Sequence, residues 1–344
     1  MTTIKDIARE AGVSIATVSK VLNNKQKISS ETADKVLSIA KALNYNPNVH
    51  ARNLKNGQNR TIGIITEDLT VFNSPSIVDG IAEYCENNQY HYILGNLRFN
   101  RLYGHSIEFT QEKSELVTTA INNMLSKQVD GIIYVGCHSH EISHLTQQEM
   151  TPFVCAYCFT NNPGLPSVIY DDQTAAYDAT KLLIDYGHRK IGVISGLANS
   201  IHSSNRLFGY QDALYQSGIP YNPRLILYGN WEKESGYDLC QKLIADGVTA
   251  IFAHNDLMAI GVIEYCIEHN ITIGQELSLI GFDNRDISMV CRPKLTTVSL
   301  PLYEIGHQAA ELLINLIENK PNPESQIVKL ECEIIERESV KKLV

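Results

Sequence analysis

The 344-residue sequence has no apolar run near the roughly 20 residues that cross a bilayer as a helix. Its start, MTTIKDIARE, carries no apolar leader segment. No membrane association is expected, and the expected location is the cytoplasm. Common catalytic signatures are also missing: there is no G-x-G-x-x-G, no P-loop and no G-x-S-x-G. An enzyme is not expected, and neither is a cofactor. Tryptophan occurs once, as Trp231. The eight cysteines are scattered through apolar stretches and read as reduced, buried thiols. Cys155 and Cys158 form a C-x-x-C pair, but PFVCAYCF reads as a strand end, without the helix a redox pair needs or a second pair for zinc. In GCHSHEISH, Cys137 with His138, His140 and His144 matches no closed metal site. Solvated loop histidines are the expectation there.

What is present is an uneven charge. Residues 1–60 hold ten Lys and Arg against four Asp and Glu, a net of +6; the whole chain is −9, so residues 61–344 carry −15. A basic head on an acidic body directs only the head toward a polyanion. Within it, Ile4, Ile7, Ala8 and Ala11 share one helix face, Gly12 breaks that helix, and Ser14 can cap the next. Val18, Val21 and Leu22 then face inward, leaving Ile15, Ala16, Thr17, Ser19 and Lys20 outward, and Asn23 and Asn24 end the helix. A third helix follows Ser29 or Ser30, with Val36, Ile39, Ala40 and Leu43 inward. This is a helix-turn-helix pattern, and its second helix is suited to a major groove. Lys5, Lys20, Lys25 and Lys27 add sequence-independent attraction. The alternative for three such helices is a protein-binding module.

From Thr61 onward short apolar strands alternate with amphipathic helices, about ten units through TIGIIT, YHYILG, DGIIYVG, PFVCAY, SVIYDD, KIGVISG, LILYGN, AIFAHND and LSLIGFD. Near-continuous apolar runs mark strands buried on both faces. The fold class is α/β and doubly wound, and the unit count predicts two sheets with a cleft between them.

Residues 3–57, TIKDIAREAGVSIATVSKVLNNKQKISSETADKVLSIAKALNYNPNVHARNLKNG, resemble the head and hinge of the lactose-repressor (LacI/GalR) family of bacterial transcription regulators. The likeness rests on I-x-D-I-A, A-G-V-S, T-V-S, Y-x-P-N and A-R-x-L. It continues through VDGII, DYGHRKIGVISG, NRLFGYQDAL, AIFAHNDLMAIGV, LIGFDN, PKLTTV and EIGHQAAELLINLI. It implies a helix-turn-helix head at 1–46, a hinge at 47–60, and a two-lobed periplasmic-binding-protein-like core at 61–344. Lobe one would hold about 61–161 and 293–322, and lobe two about 163–291 and 327–344. The resemblance implies a DNA-contacting set of Thr3, Lys5, Ser14, Ile15, Ala16, Thr17, Lys20, Asn23, Asn53, Leu54 and Lys55. Ile15, Ala16 and Lys20 fall on base-reading positions, where methyls favour thymine contacts. Leu54 falls on the hinge leucine that wedges into the minor groove.

Ligands of open α/β sheets bind beyond the carboxyl ends of strands. There the residues are Arg206, Asn255, Asp283 and Trp231, which suit a polyol or sugar and align with effector-contact positions of the family. Core packing of Trp231, helix capping by Asn255–Asp256 and an Arg206–Asp283 salt bridge are the structural alternatives. Departures from the family pattern add Phe72, Asn73, Tyr157 and Tyr170 to the expected pocket and put Leu300 in place of a common glutamine. The gained aromatics leave open an aryl glycoside, an oligosaccharide or a purine-like ring beside a simple sugar, and a protein partner is the alternative to a small ligand. Residues 96–114 are longer than the usual connection and are expected to form a surface insertion, or else a lid or partner surface. The resemblance further implies a homodimer on a pseudo-palindromic double-stranded DNA operator.

Overall fold

The computed structural model describes residues 2–22, 28–45, 59–104, 106–142, 151–162, 164–323 and 325–343. Two compact units emerge, Met1–Asn59 and Arg60–Val344.

The first unit contains α1 (Ile4–Ala11), α2 (Ile15–Leu22) and α3 (Ser30–Ala42). Each start and stop has a local cause. The Thr3 backbone N–H and hydroxyl both donate to the Asp6 carboxylate, at 2.9 and 2.7 Å, a capping box. Gly12 takes a left-handed conformation, φ +67°, and its N–H closes α1 on the Ala8 and Arg9 carbonyls. Ser14 Oγ accepts the Thr17 N–H at 3.1 Å, and Ser29 caps α3 through the Thr32 N–H. Such caps each contribute about 1 kcal/mol. Ile7, Ala8, Ala11, Val18, Val36 and Ala40 form the core of the unit, on the faces that the sequence spacing predicts. Residues 47–58 of the expected hinge, with Asn53, Leu54 and Lys55, and the helix-ending Asn23 lie outside the described residues.

In chain order the second unit runs β1 (Thr61–Thr66), α4 (Ser74–Asn87), β2 (His91–Asn96), α5 (Phe99–Tyr103), α6 (Gln111–Ser126), β3 (Gly131–Val135), β4 (Phe153–Ala156), β5 (Ser167–Tyr170), α7 (Asp172–Asp185), β6 (Ile191–Ser195), α8 (Ile201–Gln216), β7 (Ile226–Tyr228), α9 (Lys233–Ala245), β8 (Ala250–Ala253), α10 (Asp256–Glu268), β9 (Ser278–Asp283), α11 (Asp286–Val290), β10 (Thr296–Ser299), α12 (Leu302–Ile317), β11 (Ile327–Leu330) and β12 (Glu333–Ile335). Two six-stranded sheets result, in the orders β11-β5-β4-β3-β1-β2 and β12-β10-β9-β8-β6-β7. The named strands pair in parallel except β10 with β12. The inner strands β1, β3, β4, β6 and β8 are buried along their whole length, as their unbroken apolar runs require.

Helices close over these sheets at glycines. A Cβ on Gly306 of α12 would stand 1.9 Å from the Ile77 carbonyl oxygen of α4, and one on Gly80 of α4 would stand 2.1 Å from the Tyr303 carbonyl oxygen. Only hydrogen at both positions permits this crossing.

Sheet membership moves the expected lobe boundaries. The second lobe was expected from 163, yet β5 pairs with β4 in the first sheet. The return to lobe one was expected at 293, yet β10 pairs with β9 in the second sheet. The last passage was expected by 327, yet β11 pairs with β5 in the first. The chain thus passes between lobes near 171, 300 and 331. The reason is physical: β4 would be left with a bare edge if the chain departed at 163, and β5 in turn needs β11.

Candidate functional site

In the basic unit the buried Val18 anchors α2, and the opposite side of that helix faces solvent. Ile15 is 46% exposed at the first turn. Ala16, Lys20, Lys5, Thr3 and Ser14 are exposed too. Thr17 is half-buried, and its hydroxyl is 2.8 Å from that of Ser14, so these two hydroxyls first serve the helix start. Ile15 is an exposed apolar side chain outside the core of the head.

In the second unit the carboxyl ends of both sheets converge on one cavity of about 340 Å³. Lobe one contributes Phe72 after β1, His138 after β3 and Tyr157 after β4. Lobe two contributes Arg206 from α8, Trp231 after β7, Asn255 after β8 and Asp283 at the end of β9.

Arg206 organises the lobe-two side. It is 2% exposed and lies 3.6 Å over the Phe282 ring. Its Nε donates to Asp172 at 2.7 Å and one terminal nitrogen donates to the Tyr170 hydroxyl at 2.8 Å; the other donates to the His254 carbonyl. Asp172 also takes a 2.6 Å contact from His202 Nδ1. His202 Nε2 accepts the Ser139 N–H at 3.1 Å, which places the imidazole proton on Nδ1. Against its burial, the Asp172 carboxyl is held down to about 2 by His202 and Arg206. Arg206 is therefore paired with Asp172, and the Asp283 carboxylate is 3.9 Å away. Burial pushes the Asp283 carboxyl up to about 8 against the pull of Arg206. Among the described residues no hydrogen bond reaches that carboxylate, and Trp231 Nε1 is likewise buried without a partner.

Among the described residues, hydrogen bonds join the lobes at the cavity from Ser139 to His202 and between His138 Nε2 and Ser200 Oγ at 2.9 Å, and behind it from Arg206 to the Tyr170 hydroxyl of β5. Arg285 of lobe two also lies 5.0 Å over the Phe72 ring of lobe one. Burial, with His202 and His140 nearby, holds the His138 pKa well below its ordinary value.

Six of the eight expected pocket residues line the cavity: Phe72, Tyr157, Arg206, Trp231, Asn255 and Asp283. Two do not. Asn73 is fully buried at the start of α4 and donates to the Gly136 carbonyl at 3.2 Å. Tyr170 is buried behind the site, stacked on His202 and bonded to Arg206. Helix capping falls to Asn255, whose Oδ1 accepts the Met258 N–H at 2.8 Å while its Nδ2 donates to the Trp231 carbonyl at 2.8 Å. Asp256 points into the lobe, bonded to Thr297 and the Arg285 N–H.

One expectation about loops is extended and one corrected. The 96–114 stretch is exposed at Arg98, Arg101, Leu102 and Glu108, as a surface insertion would be, and it also walls the cavity through Phe99, Asn100, Ser106, Ile107, Phe109 and Lys113. His138 and His140 are not solvated loop histidines, since both line it; His144 lies outside the described residues. His140 Nε2 is 3.1 Å from Glu67, and burial opposes but does not overcome the carboxylate that raises the His140 pKa. Glu67, His140, His202 and Arg285 were missed because each depends on a partner remote in sequence. No group of three or more His, Cys, Asp or Glu among the described residues is arranged to hold a metal ion. None of the described helices is long and apolar enough to cross a membrane.

Comparison with known proteins agrees with this architecture. Residues 3–48 match the family of bacterial regulatory proteins, lacI family, and residues 180–340 match the periplasmic binding protein-like domain. Catabolite control protein A of Priestia megaterium is 36% identical over 98% of this chain and 99% of its own length. The HTH-type transcriptional repressor CytR of Escherichia coli K12 is 34% identical over 99% of this chain and 97% of its own. Both are regulators by name. The structure of a lac repressor dimer bound to operator and the anti-inducer ONPF superposes with a TM-score of 0.79, at 24% identity and covering 99% of both chains. That likeness shows the same fold. With the helix-turn-helix unit, the two-lobed core and relatives matched from end to end, the chain belongs to the LacI family of bacterial regulatory proteins.

Proposed function

We propose that the chain is a transcriptional repressor that binds a pseudo-palindromic operator as a homodimer in the cytoplasm, and that a carbohydrate held between the lobes sets its affinity for DNA. The observation that carries the reading is a pair of polar groups lining the cavity, Trp231 Nε1, buried without a hydrogen-bond partner, and the Asp283 carboxyl, held only by a 3.9 Å ion pair to Arg206. A carboxylate and an indole beside fixed aromatic faces match the alternating hydroxyls and C–H faces of a sugar ring. A protein-controlled regulator is the second reading, and the exposed part of the 96–114 stretch, with Arg98, Arg101 and Leu102, is the surface it would use.

The DNA-contacting set is read as Ile15, Ala16 and Lys20 on bases, with Thr3, Lys5, Ser14 and Thr17 at the backbone and Asn23, Asn53, Leu54 and Lys55 completing it. In this reading ligand acts on the Ser139–His202 and His138–Ser200 contacts, and so on the angle between lobes. Operator affinity shifts by the ligand's differential affinity for the two lobe arrangements, commonly about 1–3 kcal/mol. The test is a thermal-shift screen of the full-length protein against sugars and nucleosides, followed by fluorescence anisotropy on operator DNA with and without each hit. A hit that raises the melting temperature and changes operator affinity supports the reading. Failure of every sugar, with a nucleoside or a protein partner acting instead, refutes it.

A further inference from the structure

We propose that His202 is a proton-binding site at the joint between the lobes, and that a proton taken up on its Nε2 unfastens that joint. The core then answers to pH as a second input. The proposal does not depend on the carbohydrate reading above, because the proton needs no other ligand.

The lobe-one half of the joint is His138 and Ser139, on the loop after β3. The lobe-two half is Ser200 and His202, at the start of α8. Ser139, Ser200 and His202 are all buried. The Ser139 N–H donates to His202 Nε2 at 3.1 Å, and only an unprotonated ring nitrogen accepts such a bond. Nδ1 of the same ring faces the Asp172 carboxylate at 2.6 Å and the Tyr170 hydroxyl at 3.0 Å, so the proton of the neutral ring is committed there. A further proton on Nε2 turns the acceptor into a second donor. Two N–H groups then point at each other across a buried contact. Neither can turn aside. One belongs to the main chain, and the other sits on a ring pinned by Asp172 and stacked on Tyr170 at 5.5 Å and 11°. Water is the acceptor left to both, and it enters when the loop after β3 draws away from α8.

The second contact follows the first. His138 precedes Ser139, and Ser200 lies two residues before His202, so the His138–Ser200 bond parts when Ser139 withdraws. The Arg206–Tyr170 bond behind the cavity does not use Nε2 and still holds the lobes together, so the movement is an opening about that side. Charged and titratable groups face the His202 ring from every neighbouring element. Asp172, at the start of α7, attracts the proton, while Arg206 and the positive end of α8 repel it. His138 of lobe one meets the ring edge-on at 4.5 Å, Tyr157 after β4 lies 5.9 Å away, and Tyr170 comes from β5. Beyond these, His140 is paired with Glu67, and Asp283 lies on the far side of Arg206. His138 does not compete for the proton, since burial and its neighbours His202, His140 and Arg206 keep it uncharged. Imidazole is the side chain whose charge changes in the physiological range, so a signal can act here without unfolding the core.

The test is hydrogen exchange at the Ser139 amide of the full-length protein from about pH 8 down to about 6, read by residue-resolved mass spectrometry and corrected for the intrinsic pH dependence of exchange. The joint is complete above the midpoint and lost below it, so protection should be flat at first and then fall by about tenfold per pH unit. Amides in the inner strands β1 and β8 should hold their protection throughout. Trp231 of lobe two lies 6.2 Å from His138 of lobe one, and its emission should shift with the same midpoint. His202→Gln offers an amide oxygen that accepts the Ser139 N–H but takes no proton, and it should keep Ser139 protected at every pH. His138→Gln, which retains a partner for Ser200, should keep the fall. The proposal is overturned if Ser139 protection does not fall, if the inner strands loosen with it, or if His202→Gln still shows the fall. Loss of the fall in His138→Gln also overturns it, by placing the proton on the other imidazole. If His202→Gln does not fold, the unmodified protein decides: one shared midpoint for Ser139 protection and Trp231 emission supports the proposal, and two separate midpoints overturn it.

Discussion

Gly196→Ala is the substitution that separates the ligand site from the fold. Gly196 follows β6, and a Cβ built on it would stand 2.0, 2.1 and 2.3 Å from three carbon atoms of the Trp231 ring. Real Cβ contacts essentially never fall below 3.0 Å, so the indole must move by at least about 1 Å or Gly196 must retreat with its strand. The indole is the softer partner. It is half-buried, and Trp231 sits at φ +74° on a loop whose main hold is the Asn255 amide on its carbonyl. Overpacking of this kind costs about 1–3 kcal/mol, which lowers the melting midpoint of the core unit without unfolding it. The ring then swings into the cavity, and ligand affinity falls by about tenfold or more, the equivalent of about 1.4 kcal/mol. Trp231 is the single tryptophan of the chain, so fluorescence excited at the red edge, where tyrosine does not absorb, reports on this site alone. A shifted emission maximum, weakened ligand binding and undiminished operator binding without ligand are the expected results. Unchanged emission together with unchanged ligand affinity would refute the reasoning.

Three further outcomes follow from the same contacts. Asp172→Asn leaves the buried Arg206 without its counter-charge and His202 Nδ1 with a weaker acceptor, and should cost about 3–5 kcal/mol in denaturant melts. The depressed pKa of Asp172 makes its contribution fully present above 3.8 and lost as pH falls toward about 2, so the variant should lack that part of the acid sensitivity; an unchanged acid profile counts against the pair. Asp283, raised to about 8, holds its proton at neutral pH, whereas sugar hydroxyls favour the ionised form; ligand affinity should rise as pH climbs through about 8, with proton release in calorimetry across buffers, and proton uptake would contradict this. Lys20→Ala should relax the sequence preference of operator binding, as loss of a base contact does, whereas an intact preference with the slope of log affinity against log salt reduced by about 1 would place Lys20 on a phosphate.

Much of the fold could be read directly because it is written locally. The Gly12 break, the Ser14 and Ser29 caps and the spacing of Ile7, Val18, Val36 and Ala40 specify the head over a few residues each. Strands buried on both faces announce themselves as apolar runs. The lobe boundaries were misjudged because strand partners are a long-range property: nothing in SVIY reveals that it pairs both FVCA and, far along the chain, IVKL. The cavity divides the same way. Residues directly after strand ends, such as Tyr157, Asn255 and Asp283, could be found by position. The side chain of Tyr170 lies behind the wall it was expected to line, and Lys113 reads as an ordinary helix lysine until its loop folds back onto it.

The three passages of the chain between the lobes also set an order of completion during synthesis. The first lobe begins at Thr61 but lacks α12 until Ile317 and its edge strand β11 until Leu330 has been made. The second lobe starts more than a hundred residues later and is finished by β12 almost at once afterwards, with Ser339 and Leu343 pinned by backbone bonds to Leu279 and Tyr186. Through most of translation, the early sheet therefore holds β5 with one edge bare, and α4 keeps its Gly80 groove open for a helix still unmade. The two halves close within a few residues of each other. A ribosome that stalls or stops short of Leu330 releases a chain in which neither lobe is sealed, rather than one good lobe and one bad.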